Sequence, residues 1–399
     1  MSVPFIPTKN ATAGVTTAPT TSNLTTAGQM AINAYTGTMY MRKEDSTISD
    51  IVGDRLSGFR NRIINGNMAI DQRNAGAVVT TSSGTSGYCV DRFFYENSQA
   101  SKFTMQQNAG AVTPPTGFSN YLGVVSTSAF SVAAGDYFHV GQRVEGFNTV
   151  DLGWGAAGAA SVTLSFWARS SLTGTFGGAV RNGAGTRSYP FTYTISATGT
   201  WEYKTIVIPG DTTGTWLKDN STGLQLTFGL GVGATFSGTA GAWAAANYTS
   251  ATGAVSVVGT NAATLYITGV QLEKGLVPTP FEVRSYGTEL ALCQRYYIQD
   301  NFSATQGVGP VGFADSTTVS LHSYYSKVTM RSAPTFSYTG AFEIRRSGQV
   351  ASLVSAITQS LSATNMSRLA VISSSLTAGQ GVLLEAESGT PTLNFSAEL

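Results

Sequence analysis

Leu224, Leu226, Phe228, Leu230 and Val232 occupy alternate positions, with Gln225 and Thr227 between them. A period of two gathers the apolar side chains on one face of a strand, whereas a helix would scatter them around its axis. The same period recurs upstream. In residues 161–169, Val162, Leu164, Phe166 and Ala168 share one face while Thr163, Ser165, Trp167 and Arg169 share the other. Phe138, Val140 and Val144 likewise oppose Tyr137, His139, Arg143 and Glu145. Glycine-rich turns such as Gly183-Ala184-Gly185 and Asp211-Thr212-Thr213-Gly214 separate these runs, and no helical pattern interrupts them. The pattern predicts an all-β chain whose residues 61–284 form a sandwich of jelly-roll type.

Pro278 and Pro280 stop the apolar run that closes this domain, and a short helical pattern follows. Tyr286, Leu290, Cys293 and Tyr297 are spaced four, three and four residues apart, so a linking helix over 285–298 would carry them on one seam. A helix this short needs tertiary or subunit packing, and such a seam is a natural meeting place for identical chains. Strand-like pieces then return from residue 318 to 395 and predict a second, smaller β domain over 299–399, expected as a β-sandwich. At the other end, residues 2–27 are Thr, Ala, Ser and Pro with few apolar side chains, an arm that orders only against something else. Met30-Ala31-Ile32-Asn33 and Thr38-Met39-Tyr40-Met41 flank Ala34-Tyr35-Thr36-Gly37 and read as a β-hairpin. A hairpin with such a leader is too small to stand alone, so residues 1–60 either dock on the following domain or form an attachment arm for another protein.

Lys plus Arg number 23 against 22 Asp plus Glu, a formal charge of +1 with no basic run, which argues against a nucleic-acid partner. Charged residues make up 11% of the chain, under half the roughly 25% of an average globular protein. Such a hydroxyl-rich chain suits a β assembly that buries surface between subunits. Cys89 and Cys293 have no His or Cys neighbours in sequence, so two small buried hydrophobes are expected rather than metal ligands. No stretch approaches the ~18 apolar residues of a membrane span, and the N-terminal segment has no basic export signature, so membrane insertion is not expected and synthesis is expected in the cytoplasm.

Polysaccharide cleavage would call for two carboxylates across the scissile bond, and no signature pairs any of the scattered acids. His139 and His322 are the only histidines, no G-x-S-x-G occurs, and Gly307-Val308-Gly309-Pro310-Val311-Gly312 precedes strand-like sequence rather than a helix. No enzyme is expected. Sugar binding needs an aromatic plane with polar groups around it. Trp167 and Arg169, with His139 and Arg143, lie on the faces opposite their strands' apolar rows and could share one surface. A loop, a neighbouring subunit or the N-terminal hairpin could equally cover such a tryptophan, and Trp201, Trp216 and Trp243 face the same alternatives. In the C-terminal domain Tyr324, Tyr325 and Tyr338, followed by Arg345 and Arg346, are candidates for receptor contact, although some of the aromatic group there must be core.

Several segments read together resemble a known family. Asn61-Arg62-Ile63-Ile64-Asn65-Gly66-Asn67-Met68, Tyr88-Cys89-Val90-Asp91-Arg92-Phe93, Thr163-Leu164-Ser165-Phe166-Trp167-Ala168-Arg169, Gly269-Val270-Gln271-Leu272-Glu273-Lys274-Gly275 and Thr279-Pro280-Phe281-Glu282 are similar, in order and spacing, to tail fibre and receptor-binding proteins of tailed bacteriophages. Residues 61–297 look like the carbohydrate-binding-module jelly rolls of such fibres. Gly28-Gln29-Met30-Ala31-Ile32-Asn33 and the strand after it resemble the hairpin near their attachment ends, and Val328-Thr329-Met330-Arg331-Ser332-Ala333-Pro334-Thr335 resembles a segment of their C-terminal domains. The resemblance implies a homotrimeric virion component, assembled in the host cytoplasm, that attaches to the phage tail through its N-terminal arm and recognises a host surface glycan or protein. A capsid decoration or tail adaptor protein without a receptor is the alternative, and a polysaccharide-degrading tailspike a third. Related jelly rolls often carry calcium with acidic ligands in the final strand. That strand, read here as Tyr266-Ile267-Thr268-Gly269-Val270, lacks a carboxylate, so no cofactor is expected.

Overall fold

The computed structural model describes residues 8–9, 24–33, 38–42, 44, 48–52, 59–82, 86–346, 348 and 350–399. The chain divides into two compact units, one of Met1–Ala69, Thr80–Gly87 and Tyr95–Val283, the other of Ile70–Val79, Tyr88–Phe94 and Arg284–Leu399. The all-β expectation holds.

The first unit begins with a small sheet of β1 (Thr8–Lys9), β2 (Met30–Asn33), β3 (Thr38–Arg42) and β4 (Ile48–Val52) in sequence order. β2 and β3 pair antiparallel as the hairpin reading expects, while its turn Ala34-Tyr35-Thr36-Gly37 and most of the leader lie outside the described residues. Gln29 fixes the approach to the hairpin. Its Oε1 accepts from the Thr25 and Thr26 amides at 2.6 and 2.8 Å, and Leu24, Ala31 and Tyr40 are buried together.

The body is a sandwich of two antiparallel sheets. One runs β13 (Ser188–Ile195), β12 (Gly174–Asn182), β15 (Thr222–Val232), β10 (Tyr137–Glu145), β7 (Phe94–Asn97) and β6 (Gly87–Tyr88). The other runs β14 (Glu202–Ile208), β11 (Val162–Ser170), β18 (Thr264–Lys274), β9 (Leu122–Ser126), β8 (Phe103–Gln107) and β5 (Val79–Thr80). The alternating residues meet between them. Leu224, Leu226, Phe228 and Leu230 of β15 and Val162, Leu164, Phe166 and Ala168 of β11 are all 0% exposed, and the Phe166 and Phe228 rings sit 5.0 Å apart. Each such side chain contributes roughly 1.5–3 kcal/mol through burial. A two-stranded ribbon, β16 (Ser237–Gly238) with β17 (Ser250–Ala251), covers part of the outer face of the first sheet, where Thr227 Oγ1 donates to the Thr249 carbonyl at 2.8 Å.

Asn61, Gln271, Glu273, Thr279 and Glu282 form one largely buried polar network. Asn61 Nδ2 donates to the Val270 carbonyl at 3.0 Å, and its Oδ1 accepts from the Ile63 and Leu272 amides at 2.9 and 3.0 Å. Gln271 Nε2 donates to Glu273 and to Thr279 Oγ1, and its Oε1 accepts from the Glu282 amide at 2.8 Å. The Glu282 carboxylate accepts from the amides of Phe59, Arg60 and Asn61. Gly66 lies so close to β18 that a Cβ there would fall 2.1 Å from the Val270 carbonyl oxygen. The final strand is longer than the sequence reading and brings in a carboxylate, Glu273, but the Thr279 amide and hydroxyl both bond it at 2.7 Å. Among the described residues no three His, Cys, Asp or Glu gather in a group that could hold a metal ion.

In the second unit the helix α1 spans Tyr286–Gln294. β19 (Tyr297–Asn301), β20 (Gly312–Ala314), β21 (Val319–Tyr325), β22 (Thr335–Arg345), β23 (Ser352–Ser362), β24 (Met366–Ser373) and β25 (Gly381–Ser396) follow. They do not stack as the expected sandwich. β25 is 16 residues long and pairs along one edge with β22 while its other edge takes β20 and β19, which closes β25-β20-β21-β24-β23-β22 into a six-stranded barrel. Closure removes the free edges that an open sheet would expose. Ile298, Phe342, Ile344, Val371, Leu384, Leu393 and Phe395 fill the core. The unit also takes in Tyr88–Phe94, a segment that the sequence pattern places in the jelly roll, and both Cys89 and Cys293 are free thiols buried in it as expected.

Candidate functional site

Trp167 points away from the sandwich core on β11, because Phe166 before it and Ala168 after it face inward. Its cross-strand partner on β14 is Tyr203, whose ring centre is 5.4 Å away at 52°. On the other side β11 pairs with β18 through a bulge. Ser165 faces Gln271 and Trp167 faces Thr268, so Gly269 and Val270 together stand opposite Phe166. Gly269 has φ +61°, a left-handed conformation that glycine adopts without the penalty of a side chain. It also leaves room, since a Cβ there would lie 2.6 Å from Phe118 Cζ and 3.2 Å from Trp167 Cδ1. Phe118 and Phe281 meet edge to face at 5.1 Å and form the opposite wall. The result is a cleft of about 540 Å³ between two aromatic pairs, with Ser165 and Thr116 as its hydroxyls.

The five indoles are not equivalent. Trp154, Trp216 and Trp243 pack edge to face at 4.7–5.5 Å, and their N–H groups donate to the Ala160, Thr213 and Pro209 carbonyls. Trp201 donates to the Thr113 carbonyl at 2.9 Å and packs on Tyr121. Among the described residues Trp167 Nε1 has no protein acceptor, and its half-buried indole lines the cleft. Such a cleft can stack the apolar face of a pyranose on a ring and offer an indole N–H to a hydroxyl. Its lining carries no carboxylate or imidazole.

The four residues expected to share a surface do not. Trp167 and Arg169 lie on β11 of one sheet, His139 and Arg143 on β10 of the other, and the sandwich core separates their outer faces. Equal alternation in two strands fixes an inside and an outside but not which sheet each joins. Arg169 donates to the Gly199 carbonyl at 2.7 Å and packs over Tyr266. His139 is 1% exposed and bonds Glu96 at 2.9 Å; Arg143 and Arg181 bond the same carboxylate. Burial would raise the Glu96 carboxyl, but the His139 hydrogen bond and the charges around it outweigh that and hold it down at about 2. Burial keeps His139 below the usual imidazole range.

In the barrel, Tyr324 is buried and stacked 4.1 Å from Phe395, and Arg346 is buried against the Ser375 carbonyl and Ser352. Neither is placed for a receptor: an inward β position claims the first and backbone carbonyls the second. Tyr338 is half-buried against the core, Arg345 bridges Glu343 and Glu385, and Tyr325 is 66% exposed. The expected helical seam is also interrupted. Tyr286 is exposed, Leu290 half-buried and Cys293 buried, but the helix ends at Gln294 and Tyr297 belongs to β19, where the Arg73 guanidinium lies 3.4 Å above its ring.

Tyr203, Phe118 and Gly269 were not legible as site residues. Gly269 stands in a segment that resembles phage fibres but nothing there marks a site, and only the strand pairing brings Gly269 and Tyr203 to Trp167.

No protein-family model matches the sequence, and no curated protein is similar to it. Among solved structures, the enzymatically active domain of tailspike protein 4 of bacteriophage CBA120 aligns with 55% of this chain at 12% identity and a TM-score of 0.29. The match spans about a fifth of that tailspike chain, 22%. A CBM61 module in complex with β-1,4-galactotriose aligns with 54% of this chain and 99% of its own at 12% identity, TM-score 0.27. A family 11 carbohydrate-binding module of a cellulosomal cellulase from Clostridium thermocellum aligns with 51% and 99% at 16% identity, TM-score 0.24. These are distant likenesses to jelly-roll modules and to one phage tailspike domain.

Proposed function

We propose that this protein is a non-enzymatic bacteriophage tail fibre, resident in the virion, that recognises a host-surface glycan with the Trp167 cleft as its sugar platform. One observation carries the glycan reading: an indole N–H with no acceptor among the described residues lines a cleft walled by Trp167, Tyr203, Phe118 and Phe281. The ordered resemblance of the polar network residues to phage fibres supports the virion role, with the N-terminal hairpin as the end that attaches to the tail. A lining without carboxylates suits binding rather than hydrolysis. Assembly as a homotrimer belongs to the same proposal, with the exposed end of α1 around Tyr286 and Leu290 as its contact.

The test is a panel of bacterial cells and surface polysaccharides probed with the labelled full-length protein, alongside Trp167→Ala. Binding by the native protein and its loss in a variant of unchanged melting temperature are expected. A folded protein that binds no cell and no glycan overturns the receptor role. Shortening of the polysaccharide chains overturns the non-enzymatic one. Light scattering should give about three times the 41.6 kDa chain mass, and a monomer would remove the trimer.

A further inference from the structure

Arg181, Gln225 and Arg143 form a transverse row on the outer face of the first sheet. Strand register places Gln225 of β15 directly opposite Arg143 of β10 on one side and Arg181 of β12 on the other. Arg181 Nη2 donates to Gln225 Oε1 at 2.9 Å and reaches Glu96 Oε2 at 3.4 Å, and its Nη1 donates to Asn247 Oδ1. Gln225 is 3% exposed, yet among the described residues its Nε2 has no acceptor, and neither does Arg181 Nε. These unmet groups are both donors. A buried donor without an acceptor is destabilising, and an acceptor delivered by a ligand would relieve that cost. Among the described residues the Arg143 and Arg181 guanidiniums both bond Glu96, and burial keeps His139 below the usual imidazole range. The row stays reachable at its rim, where the side chains of Glu96, Arg143 and Arg181 are 22, 13 and 12% exposed.

We propose that this row is a second binding site, for the carboxylate of an acidic sugar residue, with Gln225 and Arg181 donating to its oxygens. A planar carboxylate matches the forked donors of arginine and a side-chain amide. The site lies on the opposite sheet from the aromatic cleft and takes from the reading above only that the ligand is a saccharide.

Calorimetric titration of the full-length protein tests it with glucuronate, galacturonate and N-acetylneuraminate oligosaccharides, neutral galactose oligomers and inorganic phosphate. At least one acidic sugar should bind, at least tenfold more weakly to Gln225→Met and within twofold of native to Trp167→Ala. Should Gln225→Met fail to fold, Arg181→Gln carries the same comparison. The proposal is overturned if none of the three acidic sugars binds, or if phosphate binds as well as they do, which would make this a site for any oxyanion. It is also overturned if acidic binding is lost in Trp167→Ala and kept in Gln225→Met, an outcome that leaves the aromatic cleft standing. Acidic binding with this pattern and no neutral binding would overturn the Trp167 platform alone.

Discussion

Arg92 and Glu398, 306 residues apart in sequence, meet as a buried ion pair, and the Arg92 guanidinium also lies 3.5 Å over the Tyr296 ring. Arg92 is 1% exposed, and Arg73 bonds the second Glu398 oxygen at 2.7 Å. A charge this deep is held only by its partners, because its hydration is lost without return. Arg92→Met should therefore cost about 3–5 kcal/mol, while the double change with Glu398→Gln should cost less than the sum of the two single changes. Urea unfolding gives the cycle, and additive losses would show that the two residues are not coupled.

Asp91 beside it responds to pH in a direction unusual for an acid. Burial pushes its carboxyl up to about 7, against the pull of the Gln72 hydrogen bonds and the Arg73 charge. The folded pKa lies above the unfolded value near 4, so the folded state holds the extra proton and stability falls as pH rises from about 4 to 7. His322 acts oppositely. Burial lowers it to about 4, and its contribution grows as pH rises from 4 to about 6.5. Asp91→Asn removes the first effect, so its stability relative to the native protein should increase by roughly 3–5 kcal/mol between pH 4 and 7. Urea midpoints at four pH values check this, and a constant difference would show that Asp91 ionises normally.

Alternation was enough to read the inward rows of β11 and β15, because burial of one face is the physical cause of the period. It could not assign the two strands to different sheets, which is why Trp167 and His139 read as neighbours. Pro278 and Pro280 follow the end of β18, but Tyr297 continued the helical spacing into a strand, since β19 pairs with β25, a segment nearly a hundred residues later. Barrel closure was hidden for the same reason. The most recognisable residues, Asn61, Gln271 and Glu282, owe their identity to a network whose partners lie more than 200 positions apart in sequence.

Gln271 is the centre of that network and is 0% exposed. Gln271→Leu removes the acceptor of the Glu282 amide and one of the three hydrogen bonds to the Glu273 carboxylate, which keeps those from Thr279. With one amide losing this acceptor, a loss of about 1–3 kcal/mol is expected. Gln271→Glu keeps the acceptor but sets a second carboxylate against Glu273, a like-charge repulsion that acid relieves, so it should be less harmful at pH 4 than at pH 7. Thermal melts of both variants at the two pH values decide it. Equal destabilisation of Gln271→Glu at both would mean that Glu273 does not face residue 271.

Gly269 links the fold to the cleft. Its left-handed φ forms the bulge that turns Trp167 toward Phe118, and a Cβ would press on the Phe118 ring. Gly269→Ala should cost about 1–2 kcal/mol from the backbone alone and should also push Phe118 across the cleft. Glycan binding at the Trp167 platform should then drop at least tenfold, while binding of an acidic sugar at Gln225, on the other sheet, should be unchanged. Tryptophan fluorescence of the variant should shift as Trp167 loses its open neighbour. Native affinity in Gly269→Ala would show that the ligand does not enter between Trp167 and Phe118.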